Sequence, residues 1–94
     1  MLVPPARAQG VDVRGVVTDS SSGERIPFAN VTIHGTNRGT ATNLNGFYII
    51  PNVPYGTYEL VVSVLGYGQE AKRLSVGPVG PVIVNFRLSL RPVE

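Results

Sequence analysis

The 94-residue sequence contains no cysteine and no tryptophan. Without thiols the chain has no disulfide scaffold and no cysteine-ligated zinc or iron–sulfur site. It contains a single histidine, His34, so a Ser–His–Asp arrangement has only one candidate base. No apolar run approaches the roughly 18 residues that a membrane-spanning helix needs, so the domain is not expected to cross a membrane. These absences speak against an enzyme without naming a function.

Charge is also scarce, with eight Lys and Arg against six Asp and Glu and a net charge of +2. Lys72 and Arg73 form the only adjacent basic pair. Nucleic-acid binding needs clustered cations with stacking aromatics, so we predict no nucleic-acid partner. The acidic residues are dispersed over turns and outward strand positions, and no paired carboxylates for acid–base catalysis are predicted. Asp19 is expected to cap a turn through backbone N–H groups.

The chain is rich in turn-forming residues, with eleven Gly and eight Pro. Apolar residues alternate with polar ones in Val82–Leu90 and in Tyr58–Val64, the period of a strand with one buried face. Near the start of the chain, Gly15 interrupts the apolar residues between Val11 and Val17 and suggests a bulge or bend in the first strand. This pattern predicts an all-β sandwich or barrel with seven strands, at about 11–18, 28–34, 38–42, 46–50, 57–65, 70–76 and 82–90.

Alternation also predicts which side chains face the core. The expected inward set consists of Val13, Val17, Val31, Ile33, Phe47, Ile49, Tyr58, Leu60, Val62, Val64, Leu74, Val84, Phe86 and Leu88. Burial of each large apolar side chain contributes roughly 1.5–3 kcal/mol before conformational entropy is subtracted. Fourteen such residues are enough for a small domain that folds on its own.

Aromatic and apolar residues remain at turns and at positions that alternate outward. They form a candidate partner patch of Tyr48, Ile50, Ile83, Tyr55 and Tyr67. Strand addition at a sheet edge is a second route to a partner. In the alternative interpretation, loops partly cover both faces of one sheet and leave no patch.

Residues 1–10 are set apart from the fold, which is predicted to occupy residues 11–90. Ala6-Arg7-Ala8 fits the small-x-small pattern that precedes a signal-peptidase cut, but the apolar segment that should come before it is missing. The stretch is therefore either a signal-peptide remnant or a disordered, proline-rich leader.

Several motifs occur in order along the chain. The motif G-x-V-x-D spans Gly15–Asp19, and P-x-A-x-V spans Pro27–Val31. The series continues with Gly39–Thr42, Asn45–Ile49, Val53–Gly56 and Gly66-Tyr67. Their order and spacing resemble the carboxypeptidase regulatory-like family from about Val11 to Leu90. The resemblance implies a seven-stranded Greek-key β-sandwich of the transthyretin-like kind, in agreement with the strand count. The motif residues also fit turn and packing positions, so the signature describes a scaffold rather than a reaction.

Two features of this family bear on possible sites. The family often has Asp where this chain has Asn43 and Asn45, and neutral amide oxygens are poor substitutes for the carboxylates that Ca²⁺ prefers. A related class of bacterial sandwiches carries a Lys–Asn isopeptide bond, but Lys72 is the only lysine and Arg14 occupies the usual first-strand position. We therefore predict no catalytic residue, no cofactor and no metal.

The segment Phe28–Val31 resembles the N-terminal extension of SusC/RagA-type TonB-dependent outer-membrane receptors. In those proteins the domain follows the signal peptide and precedes a plug and a β-barrel. Leu88–Glu94 resembles the exit towards the plug, which makes residues 91–94 an expected exit segment.

This resemblance implies a non-catalytic accessory or interaction domain of a bacterial cell-envelope protein that takes part in nutrient uptake. It would lie on the periplasmic side of the outer membrane, or alternatively on the extracellular surface. Its partner would be the plug and barrel of the parent receptor or another envelope protein. The alternative is a carbohydrate- or peptide-binding module of a secreted peptidase or another surface enzyme. The oligomeric state is left open.

Overall fold

The computed structural model describes residues 10–91, and every regular element in that range is a β-strand. It therefore contains no helix of a length and hydropathy suited to crossing a membrane. The strands are β1 (Gly10–Asp19), β2 (Asn30–Ile33), β3 (Gly39–Ala41), β4 (Phe47–Pro54), β5 (Gly56–Ser63), β6 (Glu70–Val76), β7 (Val82–Ile83) and β8 (Phe86–Leu88).

The strands form two sheets that pack as a sandwich, which confirms the predicted all-β class. In the first sheet β1 lies between β4, which is antiparallel to it, and β7 and β8, which are both parallel to it. The second sheet has the order β3-β2-β5-β6, and each of its pairs is antiparallel. β1 is therefore the central strand of the first sheet and carries pairing on both sides.

The last predicted strand, 82–90, is divided into β7 and β8, which gives eight strands instead of seven. The register on β1 does not change across the break, since Val13 pairs with Val82 and Val17 pairs with Phe86. Between the two pieces the side chain of Asn85 replaces a backbone acceptor. Its Oδ1 accepts the N–H of Val16 at 2.9 Å.

Most other predicted boundaries differ from the observed ones by one or more residues, and three of the differences are informative. β1 begins at Gly10, which was assigned to the leader and pairs with Pro54. β2 begins at Asn30 instead of residue 28, because Phe28 has a left-handed backbone with φ of 61°. β4 was expected to end at residue 50 but runs to Pro54. β4 is an edge strand of the first sheet, and an edge strand accommodates proline because one side of its backbone needs no partner. The rest of the leader, residues 1–9, and the exit residues 92–94 lie outside the described residues.

The core is a single cluster between the sheets, and nine of the fourteen predicted core residues are buried in it. Tyr58, Val64 and Val84 are partly buried and pack against this cluster. The prediction was wrong for Phe47 and Ile49, which are each 37% exposed. It also missed several buried residues: Ile26, Ala29, Tyr48, Ile50, Val53 and Val76.

The error on β4 is a reversal of faces. Cross-strand partners share a face of the sheet, and Ile50 pairs with Val13, which is fully buried. Ile50 and Tyr48 therefore point inward, while Phe47 and Ile49 point outward. Residues 47–50 are all apolar, so alternation offers two registers that fit the sequence equally well, and a shift of one residue exchanges the two faces.

Gly15 has a different role from the predicted bulge, which lies instead between Val11 and Val13. Gly15 pairs with Tyr48 on one side, and the backbone of Val84 lies against its α-carbon on the other. A Cβ at this position would collide with the Val84 carbonyl oxygen. The absence of a side chain lets the Tyr48 hydroxyl reach across β1 and donate to that oxygen at 2.6 Å.

Candidate interaction surface

The outward side of the first sheet carries apolar side chains in adjacent rows. Arg14 on β1 pairs with Ile49 on one side and with Ile83 on the other, and Val16 pairs with Phe47 in the next row. Ile83 is 57% exposed, and Phe47 and Ile49 are each 37% exposed. The β1 face is defined here as this surface, formed by Asp12, Arg14, Val16, Phe47, Ile49 and Ile83.

Two opposite charges lie on the central strand of the β1 face. Asp12 and Arg14 are two residues apart on β1, so both side chains point to the same side of the sheet. They line one shallow depression together with Gly80 and Pro81. Asp12 Oδ1 also accepts the N–H of Asn52 at 3.1 Å, which ties this end of β1 to β4.

Only part of the predicted partner patch is exposed in the structure. Ile83 lies on the β1 face, but Tyr48 and Ile50 are 1% and 2% exposed and cannot meet a partner, so the prediction was wrong for both. Tyr55 is exposed in the β4–β5 turn near the start of β1, whereas Tyr67 contacts Asp19 at the end of β1. Ten strand residues separate these two ends by about 30 Å, so the five residues do not form one patch.

Tyr48 is a structural residue of the core. Burial raises the pKa of its hydroxyl well above the ordinary value near 10, so the group stays neutral. Its hydrogen bond to the Val84 carbonyl joins β4 to the segment between β7 and β8. The prediction placed Tyr48 at the surface, because the local sequence does not indicate that its hydroxyl donates to a carbonyl 36 residues away.

Asp19 caps the turn after β1, as predicted. Its Oδ1 accepts the Ser21 hydroxyl at 2.7 Å and the backbone N–H groups of Ser21 and Ser22 at 2.8 and 3.2 Å. Its Oδ2 accepts the hydroxyl of Tyr67 at 2.8 Å. The Ser21 hydroxyl, followed by that of Tyr67, holds the pKa of Asp19 well below its ordinary value of 3.8. The same contact with Asp19 raises the pKa of Tyr67.

We expect Asp19→Asn to lower the stability of the domain near neutral pH. A carboxyl group whose pKa is lower in the folded state than in the unfolded state stabilises the fold above its unfolded pKa. That contribution is lost as the pH falls from about 4 towards the folded pKa. Thermal melts between pH 2 and 7 should therefore show a smaller acid-induced fall in Tm for Asp19→Asn than for the wild type. Equal falls in both proteins would contradict this assignment.

Phe28 is an exposed aromatic residue held in an unfavourable backbone conformation. It is 66% exposed and has φ of 61°, whereas most other positive-φ positions, at residues 23, 35, 46, 56 and 66, are glycines. Buried Thr42 holds this segment in place. The Thr42 hydroxyl donates to the Ile26 carbonyl at 2.7 Å and accepts the Ala29 N–H at 2.8 Å, and the Thr42 carbonyl accepts the Phe28 N–H.

We expect Phe28→Gly to be more stable than Phe28→Ala by about 0.5–1 kcal/mol. A left-handed conformation costs a residue with a Cβ roughly 1–2 kcal/mol, and the greater freedom of unfolded glycine offsets part of the gain. At an ordinary strand position the order is reversed, with alanine the more stable. Urea unfolding of the two variants measures the difference, and an alanine variant at least as stable as the glycine variant would contradict it.

The outward side of the second sheet is polar. His34, Thr57, Tyr58, Glu59 and Arg73 line an open depression there, in which Glu59 and Arg73 are cross-strand partners. The backbone N–H of His34 donates to the backbone carbonyl of Glu59 at 2.9 Å. Tyr58 turns its hydroxyl to the Pro54 carbonyl at 2.8 Å, so that hydroxyl is engaged within the domain.

The remaining residues weighed as sites have structural contacts. Asn43 Oδ1 accepts the N–H groups of Asn45 and Phe47 at 2.9 and 3.0 Å, so this oxygen orders the loop. Lys72 Nζ donates to the Asn85 carbonyl at 2.6 Å and lies 5.3 Å from the Phe86 ring centre, which joins β6 to β8. Within residues 10–91 no group of three or more His, Cys, Asp or Glu side chains is arranged to hold a metal ion.

The chain is similar to short regions of larger proteins. It is 36% identical over 76 residues to human carboxypeptidase D, an alignment that covers 81% of this chain and 5% of the carboxypeptidase. It also superposes on a candidate carbohydrate-binding protein from Bacteroides uniformis with a TM-score of 0.63 and 20% identity, over 84% of this chain and 41% of the other. A chain of a type II cohesin–X-dockerin complex from Acetivibrio cellulolyticus gives a TM-score of 0.58 and 20% identity, over 82% and 53%.

Two sheets packed around one core define this chain as a small β-sandwich domain, and the first sheet has an exposed apolar outer face. The family model described as the CarboxypepD_reg-like domain matches residues 13–93. The chain therefore belongs to the carboxypeptidase regulatory-like domain family, as its motifs predicted. It spans only a small fraction of the carboxypeptidase that it matches.

Proposed function

We propose that this domain is a non-catalytic protein-interaction module that binds its partner through the β1 face. The exposure of Phe47, Ile49 and Ile83 on one side of the same sheet carries the proposal. Side chains of this kind cost free energy in water, and a contiguous exposed group of them is typical of protein interaction sites. The similarity to a chain of a cohesin–X-dockerin complex supports a protein partner.

We further propose that the parent protein is a cell-envelope protein, most specifically a TonB-dependent outer-membrane receptor that carries this domain at its N-terminus. The motif Phe28–Val31 and the small-x-small pattern at Ala6–Ala8 support this context. The domain would then lie on the periplasmic side of the outer membrane. Its partner would be the plug and barrel of the parent or a neighbouring envelope protein.

Site-specific photo-crosslinking in the full-length parent tests the interaction. A photoreactive phenylalanine analogue at Ile49 should crosslink to an envelope protein or to the parent's own barrel. The same analogue at Thr57, exposed on the opposite sheet, is the matched control and should not. Equal crosslinking from both positions, or none from Ile49, would contradict the proposal. Sequencing the gene around this segment tests the receptor context, which predicts a plug and barrel after residue 94.

A carbohydrate- or peptide-binding module is the second candidate, favoured by the polar depression around His34, Glu59 and Arg73. The similarity to a candidate carbohydrate-binding protein from Bacteroides uniformis supports it. A glycan and peptide array would separate the two functions. Binding that is lost in Arg73→Ala and retained in Ile49→Asp would favour this second function over the first.

A further inference from the structure

The β1 face is complementary to itself. Its two charges have opposite sign and lie on either side of Val13 on the central strand. In a two-fold pair the same surface meets its copy, so position i of one subunit faces position j of the other, and j faces i. We consider a two-fold axis that lies between the two copies, perpendicular to β1 and level with Val13. This axis places Asp12 of each copy opposite Arg14 of the other.

The same two-fold rotation also brings apolar residues of the two copies together. Ile49 and Ile83 lie in the row of Arg14, one on each side of β1. Pro51 follows Ile50 and Pro81 precedes Val82, and Ile50 and Val82 are the two partners of Val13, so these exposed prolines lie on either side of β1 near Asp12. The axis therefore brings Ile49 of one copy close to Pro51 of the other, and Ile83 close to Pro81, so that apolar side chains lie on both sides of the two ion pairs.

We propose that the partner of the β1 face is a second copy of this chain, packed face to face across a two-fold axis at Val13. This inference rests on the proposed interaction function and names the partner of that site. With the axis at Val13, residues 10–16 of one β1 lie opposite residues 16–10 of the other, which is about 23 Å of strand; three strands are about 14 Å wide, so the two copies together cover about 650 Å² of flat area. That area is below the range of stable specific interfaces and is typical of weak, transient ones. It indicates a weak dimer.

Sedimentation equilibrium of the wild-type domain from about 5 µM to 1 mM tests the pairing. The weight-average mass should rise from the monomer towards twice that value. Ile49→Asp should weaken association at least tenfold, because it buries an unpaired charge in the interface. Ser75→Asp adds the same charge at an exposed position of the second sheet and should leave association unchanged. A wild-type chain that stays monomeric at 1 mM would overturn the inference.

A charge exchange between copies tests the axis itself. Arg14→Asp alone places acid opposite acid, and Asp12→Arg alone places base opposite base, so each variant should be monomeric. An equimolar mixture of the two variants should associate, since every facing pair is again an acid and a base. A mixture that remains monomeric overturns the proposed axis, provided that circular dichroism shows both variants folded. Should Asp12→Arg not fold, the outcome is decided by Arg14→Asp, whose unchanged self-association would equally overturn the axis.

Failure of this inference can be told apart from failure of the proposed function. A monomeric wild-type domain that still crosslinks from Ile49 to another envelope protein excludes the self-pairing and leaves the interaction function in place. A monomeric domain without Ile49 crosslinks excludes both.

Discussion

Replacing Gly15 with alanine should lower the free energy of unfolding by about 2–4 kcal/mol. The new Cβ would occupy the position of the Val84 carbonyl oxygen. Backbone atoms cannot rotate away as a flexible side chain can, so β1 and the segment between β7 and β8 must separate. Overpacking of this kind costs about 1–3 kcal/mol or more. Loss of the Tyr48 hydrogen bond to the same oxygen adds about 1 kcal/mol.

The size of this effect matters because a domain of this length is stabilised by roughly 5–14 kcal/mol in total. A loss of about 3 kcal/mol lowers Tm by more than roughly 12 °C in a small domain. Gly77→Ala is the matched control, since Gly77 has no positive φ and a Cβ there meets no atom within 4 Å. It should be neutral or slightly stabilising. Calorimetry of both variants decides the point, and similar Tm values would show that Gly15 is not a close-approach site.

Tyr48→Ala should destabilise the domain by about 3–5 kcal/mol, the usual cost of removing a buried aromatic ring. The variant leaves a cavity beside Gly15 and removes the donor to the Val84 carbonyl. Phe47→Ala, at the next position of the same strand, should cost about 1 kcal/mol or less because its ring is partly in water. The contrast between neighbouring aromatic residues measures the register of β4 directly.

Chemical denaturation of both variants gives the two free energies. The opposite order, with Phe47→Ala the more damaging, would mean that β4 has the other of the two registers that alternation allows. In that case Tyr48 would be on the surface and the β1 face described here would not exist.

The sequence predicts most of the fold for a simple physical reason. Where every second residue is apolar and the residues between them are mostly polar, as in Tyr58–Val64, one register buries far more apolar surface than the other. β5 lies within two residues of its predicted bounds, and the turn cap at Asp19 follows from local chemistry. The order of the motifs predicts the family, and the match of the family model to residues 13–93 confirms it.

The candidate site was harder to predict because it depends on contacts between distant residues. Four successive apolar residues on β4 fit either face, and pairing with Val13 and Gly15 on β1 selects one of them. The partner patch was therefore assigned to Tyr48 and Ile50 when the exposed residues are their neighbours Phe47 and Ile49. The Tyr67–Asp19 contact, 48 residues apart, likewise leaves no trace in a local pattern.

Thiol labelling tests the central claim, that β4 turns Ile49 to solvent and Ile50 to the core. The chain contains no cysteine, so Ile49→Cys and Ile50→Cys each introduce a single reactive group. In folded protein at low concentration, the thiol at position 49 should react with a water-soluble disulfide reagent at nearly the rate seen in urea. The thiol at position 50 should react orders of magnitude more slowly, at a rate limited by opening of the fold. Faster labelling at position 50 than at position 49 would contradict the account.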